Sequence, residues 1–215
     1  MRSEPDIQKY LKPILSERLN DLEEKLVALE PQEMEQIDND DMKRIYDLFG
    51  NIYMLINELK DNERFLKKVQ IKFDSLKDYY QRIYNKDKKC YSSLIHMDLN
   101  HLRAKYDEDT EMYLEYYHIV SPINEDFYDS YLGIRDTIEY ILIGICVLGQ
   151  ESDFDWLERI KGKIDRVDKE LMSILPSLYD DHINYNDLKY IWESHKSITF
   201  WWRNMLIQRI KNIKI

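Results

Sequence analysis

Residues 152–176 read SDFDWLERIKGKIDRVDKELMSILP, and apolar side chains recur in this stretch at alternating intervals of three and four. Because an α-helix has 3.6 residues per turn, this spacing places them on one face of a helix. The pattern predicts a helix that begins at Ser152 and ends at Pro176, since proline interrupts a helical hydrogen-bond ladder. The apolar row consists of Leu157, Ile160, Ile164, Val167, Leu171 and Ile174.

The same period extends over most of the 215 residues. It predicts a first helix from Pro5 to Leu29, with Pro13 as a point where it kinks, a second from 39–41 onward and a third after 61–62. A fourth helix is predicted to be capped by Ser92 or Ser93 and to end at 121–122. The fifth is predicted to run from a cap near Asn124 to Gly149, and the seventh to run from Asp187 toward the C-terminus.

The chain has only five glycines and five prolines. Sandwiches and barrels need many Gly/Pro turns, and doubly wound nucleotide-binding folds need glycine-rich phosphate loops. We therefore predict an all-α fold, an up-and-down bundle of about six to seven long antiparallel helices. Residues 1–215 are predicted to form a single helical domain, with a subdivision near 86–92 left open.

Charge is distributed unevenly around a formal net charge of -10. Residues 91–153 carry 3 basic and 13 acidic side chains, whereas residues 194–215 carry 5 basic and no acidic ones. An acidic surface repels a phosphate backbone, which disfavours nucleic acid as a partner. The longest apolar run, 140–149, is about half of the ~20 residues that a membrane span needs. Together with acids near the N-terminus and only two cysteines, this predicts a cytoplasmic protein without membrane contact.

Two Glu/Asp-x-x-His motifs raise the question of a metal. Glu115 and His118 have the spacing with which helical di-metal bundles present a carboxylate and an imidazole on one face. Asp98 and His101 form the nearest second motif, but on one continuous helix they would lie about 25 Å away. Glu115 and His118 are therefore kept as weak metal candidates.

Other chemical signatures are missing from the sequence. The acidic run 107–111 lacks the glycine that a calcium-binding EF-hand loop needs, so it is expected to be a solvated charge run or a helix interruption. The spacing of Gly144 and Gly149 matches a phosphate loop only by coincidence, because Gln150 follows where lysine is required. We predict no catalytic residue and no cofactor, which favours a non-enzymatic role.

The number and positions of aromatic side chains indicate that the protein binds a partner. Seventeen tyrosines are present, and eight of them, Tyr116 included, lie within the acidic residues 91–153. In the predicted last helix, Trp201 lies about 140° from the apolar row, on a polar face with Tyr190. The positive charge of this helix comes from Lys196, Arg203, Arg209, Lys211 and Lys214. Tyrosine and tryptophan are enriched at partner-binding surfaces.

These observations predict a helical protein-protein interaction module, an adaptor or accessory subunit. It would dock on a protein partner or on a second copy through the Tyr-rich acidic middle and the aromatic-basic last helix. The predicted partner-binding residues are Tyr190, Trp201, Arg203, Lys211 and Tyr116. Two alternatives stay open: a metal-dependent bundle enzyme that uses Glu115 and His118, and an acidic nucleic-acid mimic or inhibitor.

Overall fold

A computed structural model of the protein describes residues 4–31, 37, 39–59, 63–116 and 133–182, with side chains described over 11–31, 37, 40–59, 63–111 and 133–170. These residues contain helices and no strand, so the predicted all-α fold is confirmed, and the predicted number of helices is about right. The helices are α1 Glu4–Leu29, α2 Asn39–Glu58, α3 Glu63–Tyr84, α4 Lys88–Tyr116, α5 Gly133–Val147 and α6 Leu157–His182, with a 3-10 turn at Glu151–Asp153.

Helix α4 begins earlier than the sequence predicted. Its first residue is Lys88, and the carboxylate of Asp87 accepts a hydrogen bond from the backbone N–H of Cys90 at 3.0 Å. Aspartate caps a helix in this way as well as serine does, so the predicted cap at Ser92 or Ser93 is wrong. The hydroxyl of Ser93 instead donates to the carbonyl of Lys89, one turn earlier in the same helix.

Both predicted ends of the helix in 152–176 are also wrong. The rings of Phe154 and Trp156 stack with their centroids 4.9 Å apart. In a helix, side chains two residues apart point about 200° away from each other, so this stack requires a non-helical backbone and α6 starts only at Leu157. At the other end, α6 continues through Pro176 to His182. Proline fixes φ near the helical value and removes one hydrogen bond, which a helix of 26 residues tolerates here.

The chain divides into two compact units. The first comprises Met1–Leu99 and Ile138–Trp156, and the second comprises Asn100–Thr137 and Leu157–Ile215. Helices α4 and α5 each contribute residues to both units. The prediction of one domain over 1–215 stays a prediction.

The first unit is built on three consecutive helices that run up, down and up. Ion pairs join Lys25 to Asp41 at 2.6 Å and Lys72 to Glu23 at 2.8 Å. The first pair links the end of α1 to the start of α2, which makes these helices antiparallel. The hydroxyl of Tyr79 donates to Glu30 at 2.6 Å, so α3 runs parallel to α1.

Apolar side chains recur at the helical period along each of these helices, and they form the core. In α1 and α3 every member of this row is buried, whereas in α2 the side chain of Ile56 is only half-buried. Burial of such a row stabilises a bundle by about 1.5–3 kcal/mol per large side chain. The buried members are Leu15, Leu19, Leu22, Leu26, Leu29, Met42, Ile45, Phe49, Ile52, Leu59, Val69, Phe73, Leu76, Tyr80 and Ile83.

Two glycines allow α5 to approach α2 closely. A Cβ atom on Gly50 of α2 would collide with the backbone oxygen of Tyr140, and one on Gly144 of α5 would collide with that of Tyr46. The two contacts are reciprocal, because each glycine lies one turn after the residue that the other glycine meets. The helices are therefore antiparallel, and their backbones touch where any side chain would separate them.

The end of α5 places Gln150 into this contact. Gly149 has a φ of 65°, and the N–H groups of Gly149 and Gln150 donate to the carbonyls of Cys146 and Ile145. This pair of bonds is the Schellman motif, in which glycine adopts the left-handed conformation that ends a helix. The side-chain oxygen of Gln150 then accepts a hydrogen bond from the hydroxyl of Tyr46 at 2.7 Å.

Tyr80 completes a buried chain of hydrogen bonds, because its hydroxyl donates to the hydroxyl of Tyr46 at 2.8 Å. Burial raises the pKa of both phenols well above the usual value near 10. Their rings also meet edge to face, with centroids 5.7 Å apart. The α2–α3–α5 contact thus combines close backbone packing with hydrogen-bonded tyrosines.

Helix α5 is buried or half-buried at every position except Cys146, which is exposed. Its buried apolar side chains are Ile134, Ile138, Ile141 and Ile145, followed by Leu148. Among the described helices, none is long and apolar enough to cross a membrane.

We expect Gly50→Ala and Gly144→Ala each to lower the free energy of unfolding by about 2–3 kcal/mol, because the added methyl group meets backbone and not a movable side chain. Urea denaturation followed by circular dichroism measures the loss. Gly162→Ala is the matched control. Gly162 lies in α6 with open space around it, so alanine there should stabilise by about 0.5–1 kcal/mol. Equal effects at all three positions would contradict the close α2–α5 contact.

Alkaline pH should destabilise the protein through the buried tyrosines. Above pH ~10 the phenols ionise in the unfolded chain but stay protonated in the fold, so the unfolded state binds fewer protons and stability falls. We expect a slope of up to about 1.4 kcal/mol per pH unit for each buried tyrosine. Tyr80→Phe should reduce this slope, whereas Tyr53→Phe, at an exposed position, should not. Urea midpoints measured between pH 8 and 11 test both variants, and an unchanged slope for Tyr80→Phe would refute the assignment.

Candidate interaction surface

The predicted partner-binding residues lie mostly outside the described part of the chain. Tyr190, Trp201, Arg203 and Lys211 all follow residue 182, where the description ends. Tyr116 is the last residue of α4, and its side chain is not among those described. These five assignments stay predictions.

The structure describes only some of the residues that were predicted as metal candidates. Glu115 lies in α4, while its side chain and the whole of His118 fall outside the described residues. In the second motif, Asp98 is buried and His101 is exposed. Among the described side chains, no three His, Cys, Asp or Glu residues are grouped as metal ligands would be.

The acidic run 107–111 lies within α4, which continues through it without interruption. A calcium-binding loop cannot form from a helical backbone, because its ligands must converge from several directions. Asp107 instead forms ion pairs with Arg103 and Arg166, each at 3.1 Å. Partial burial raises the pKa of the Asp109 carboxyl; Lys105 opposes this rise and Glu108 adds to it. The run is therefore part of a charged helix surface.

A buried ion pair organises the second unit. The guanidinium of Arg135 donates to both carboxylate oxygens of Asp168, with nitrogen–oxygen distances of 2.9 and 3.0 Å for the two shortest bonds. The hydroxyl of Tyr106 also donates to this carboxylate at 2.9 Å. All three side chains are buried, so each charge is balanced by its partner and not by water.

Sequence reasoning missed this cluster, although a signal was present. Asp168 follows Ile164 by four residues, which places a carboxylate within the apolar row of α6. A charged residue at such a position requires a buried partner. Tyr106 belongs to the tyrosines counted above as interaction candidates, and it is a fully buried core residue.

The outward face of α3 carries exposed cations in its first turns and the exposed Asp74 and Asp78 further along. Arg64, Lys67 and Lys68 are exposed and form no ion pair with a described residue. Ile71, one helical turn after Lys67, is 63% exposed. At 100° per residue, Arg64, Lys67 and Ile71 lie about 140–160° around the helix from the buried Val69, and Lys68 lies about 100° from it. We call Arg64, Lys67, Lys68 and Ile71 the basic face.

The outward face of α1 has the opposite charge. Glu17 and Glu24 are exposed on the side opposite the buried leucines, and Val27 beside them is 57% exposed. We call Glu17, Glu24 and Val27 the acidic face. The acidic face carries one sign of charge, whereas the basic face is followed on the same side of α3 by the exposed Asp74 and Asp78.

Comparison with protein-family models, with curated protein sequences and with solved structures finds no match for this chain.

The buried ion pair supports a test of the second unit. We expect Asp168→Asn to lower the free energy of unfolding by about 3–5 kcal/mol, because the change leaves the Arg135 guanidinium buried without a counter-charge. Arg166→Ala is the matched control, since Arg166 is 61% exposed and its pair with Asp107 contributes about 0–1 kcal/mol. Thermal and urea unfolding measure both changes. Replacing Arg135 and Asp168 together by Met and Leu should cost less than Asp168→Asn alone, and a larger cost would contradict the pairing.

Proposed function

We propose that this chain is a non-enzymatic, cytoplasmic α-helical interaction module, an adaptor or accessory subunit that binds an acidic protein surface. The observation that carries the proposal is the basic face of α3, where three exposed cations precede the exposed Ile71. Some other charged side chains of the same bundle are paired between neighbouring helices, as in the Lys72–Glu23 contact. Folding therefore uses those charges but leaves the basic face available for a partner.

The chemistry of the basic face defines the partner. Lysine and arginine attract a carboxylate-rich surface and raise the rate of association, while burial of an isoleucine side chain contributes about 1.5–3 kcal/mol. The predicted last helix combines the same two features, with Trp201 as its apolar anchor and Arg203 and Lys211 as its cations. The Tyr-rich acidic middle would supply a further contact for basic side chains of the partner.

Charge reversal on the basic face tests this function. The tagged protein is recovered from its native cells as wild type and as Lys67→Glu/Lys68→Glu, and the co-purified proteins are quantified by mass spectrometry. We expect a protein with an acidic surface to be enriched by the wild type and to fall at least tenfold with the variant, which corresponds to about 1.4 kcal/mol. Circular dichroism checks that helicity is unchanged.

The matched control is Lys163→Glu/Lys169→Glu, which changes the net charge equally at exposed positions of α6. Its co-purified proteins should equal those of the wild type. Tyr190→Ala/Trp201→Ala tests the predicted last helix in the same assay and should also lose the partner without loss of helicity. If the wild type and Lys67→Glu/Lys68→Glu recover the same proteins in the same amounts, the basic face is not the docking surface.

A further inference from the structure

The outward face of α3 has its cations before Ile71 and its carboxylates after it. Arg64 and Lys67 precede Ile71 by seven and four residues. Asp74 and Asp78 follow it by three and seven. At 100° per residue, all four lie within about 60° of Ile71, so they share its face. We call Asp74 and Asp78 the acidic end.

Such a face is complementary to itself when a second copy of α3 runs antiparallel. A two-fold axis perpendicular to the helix and beside Ile71 places each residue after Ile71 opposite the residue equally far before it in the other copy. Arg64 then lies opposite Asp78 of the second copy. Lys67 and Asp74 lie about 40° and 60° to the same side of Ile71, and they meet across the axis about 1.5 Å apart in level. A parallel pair would instead place equal charges side by side at both ends.

The other exposed side chains of α3 are compatible with this pairing. Ile71 of one copy contacts Ile71 of the other at the axis, and both lose exposed apolar area. Lys68 lies on the same side of Ile71 as Ser75, which is uncharged and faces it across the axis. Glu63 lies about 80° from Ile71, at the edge of the contact, and Arg82 lies beyond its end.

We propose that the chain forms a two-fold dimer in which the outward faces of α3 from two copies pack antiparallel, with Ile71 at the axis. This rests on the proposed function and identifies the acidic surface that the basic face binds as the acidic end of α3 in a second copy. All of the paired charges are exposed, so the contact weakens as salt shortens the screening length from about 10 Å at 0.1 M to about 3 Å at 1 M.

Sedimentation velocity of the whole chain at about 10 µM to about 1 mM, a range suited to a modest interface, tests the dimer. We expect dimer at about 50 mM salt and monomer at about 1 M salt. Lys67→Glu and Asp74→Lys should each raise the dissociation constant about tenfold or more, because each places equal charges together. Lys67→Glu/Asp74→Lys in one chain should return it to within about threefold of the wild type, since the contact again joins opposite charges.

Ile71→Glu places two carboxylates at the axis and should leave the protein monomeric under all of these conditions. Its matched control is Val27→Glu, which adds the same charge at an exposed aliphatic position of α1 and should dimerise as the wild type does. Circular dichroism checks that both variants stay helical.

Two results would overturn the dimer: a wild type that is monomeric at low salt, and a double variant that associates no more tightly than its two single variants. Neither result bears on the proposed function. That function is lost only if the wild type and Lys67→Glu/Lys68→Glu recover the same proteins in the co-purification assay.

Discussion

The close approach of α2 and α5 is the contact on which the first unit depends. Gly50 and Gly144 remove the side chains that would hold the two backbones apart. Only at that separation does the turn after α5 bring Gln150 to the hydroxyl of Tyr46. The hydrogen-bonded tyrosines then join α3 to the same contact. A steric condition at two positions thus determines whether the buried hydroxyl of Tyr46 finds its acceptor, and a buried hydroxyl without one costs free energy.

The second unit depends on a buried ion pair, whereas the first depends on the close backbone contact at its two glycines. Its buried ion pair of Arg135 with Asp168 is bidentate and receives a further hydrogen bond from Tyr106. Such a pair contributes little net stability compared with a hydrophobic contact of the same size, but it strongly penalises arrangements that separate the partners. The pair therefore selects one packing of its helices among several that apolar side chains alone would allow.

Much of the fold could be predicted from the sequence, because the position of each helix and its buried side follow from the spacing of apolar residues within that helix. The apolar rows of α1 and α3 recur at the helical period, and their burial follows from that period alone. Contacts between distant residues could not be predicted in this way. A glycine inside a helix, such as Gly50, either lowers the stability of the helix or allows another helix to pack closely against it. The sequence alone does not show which of the two applies, because it does not show which helix packs there. Asp168 was likewise visible as a charge in an apolar row, but its partner Arg135 lies 33 residues away. The basic face could not be predicted either, because exposure of Ile71 depends on which helices pack around α3.

The connectivity of the first unit has a consequence for its folding during synthesis. Tyr46 and Gln150 are separated by 104 positions, and the whole stretch from Asn100 to Thr137 belongs to the other unit. The three N-terminal helices leave the ribosome first, at a time when the surface that α5 will cover is still open. Contacts of such long sequence separation form slowly, and an uncovered apolar surface favours association with other chains in the meantime. The nascent chain therefore passes through a stage in which Gly50 and Tyr46 are not yet covered by α5.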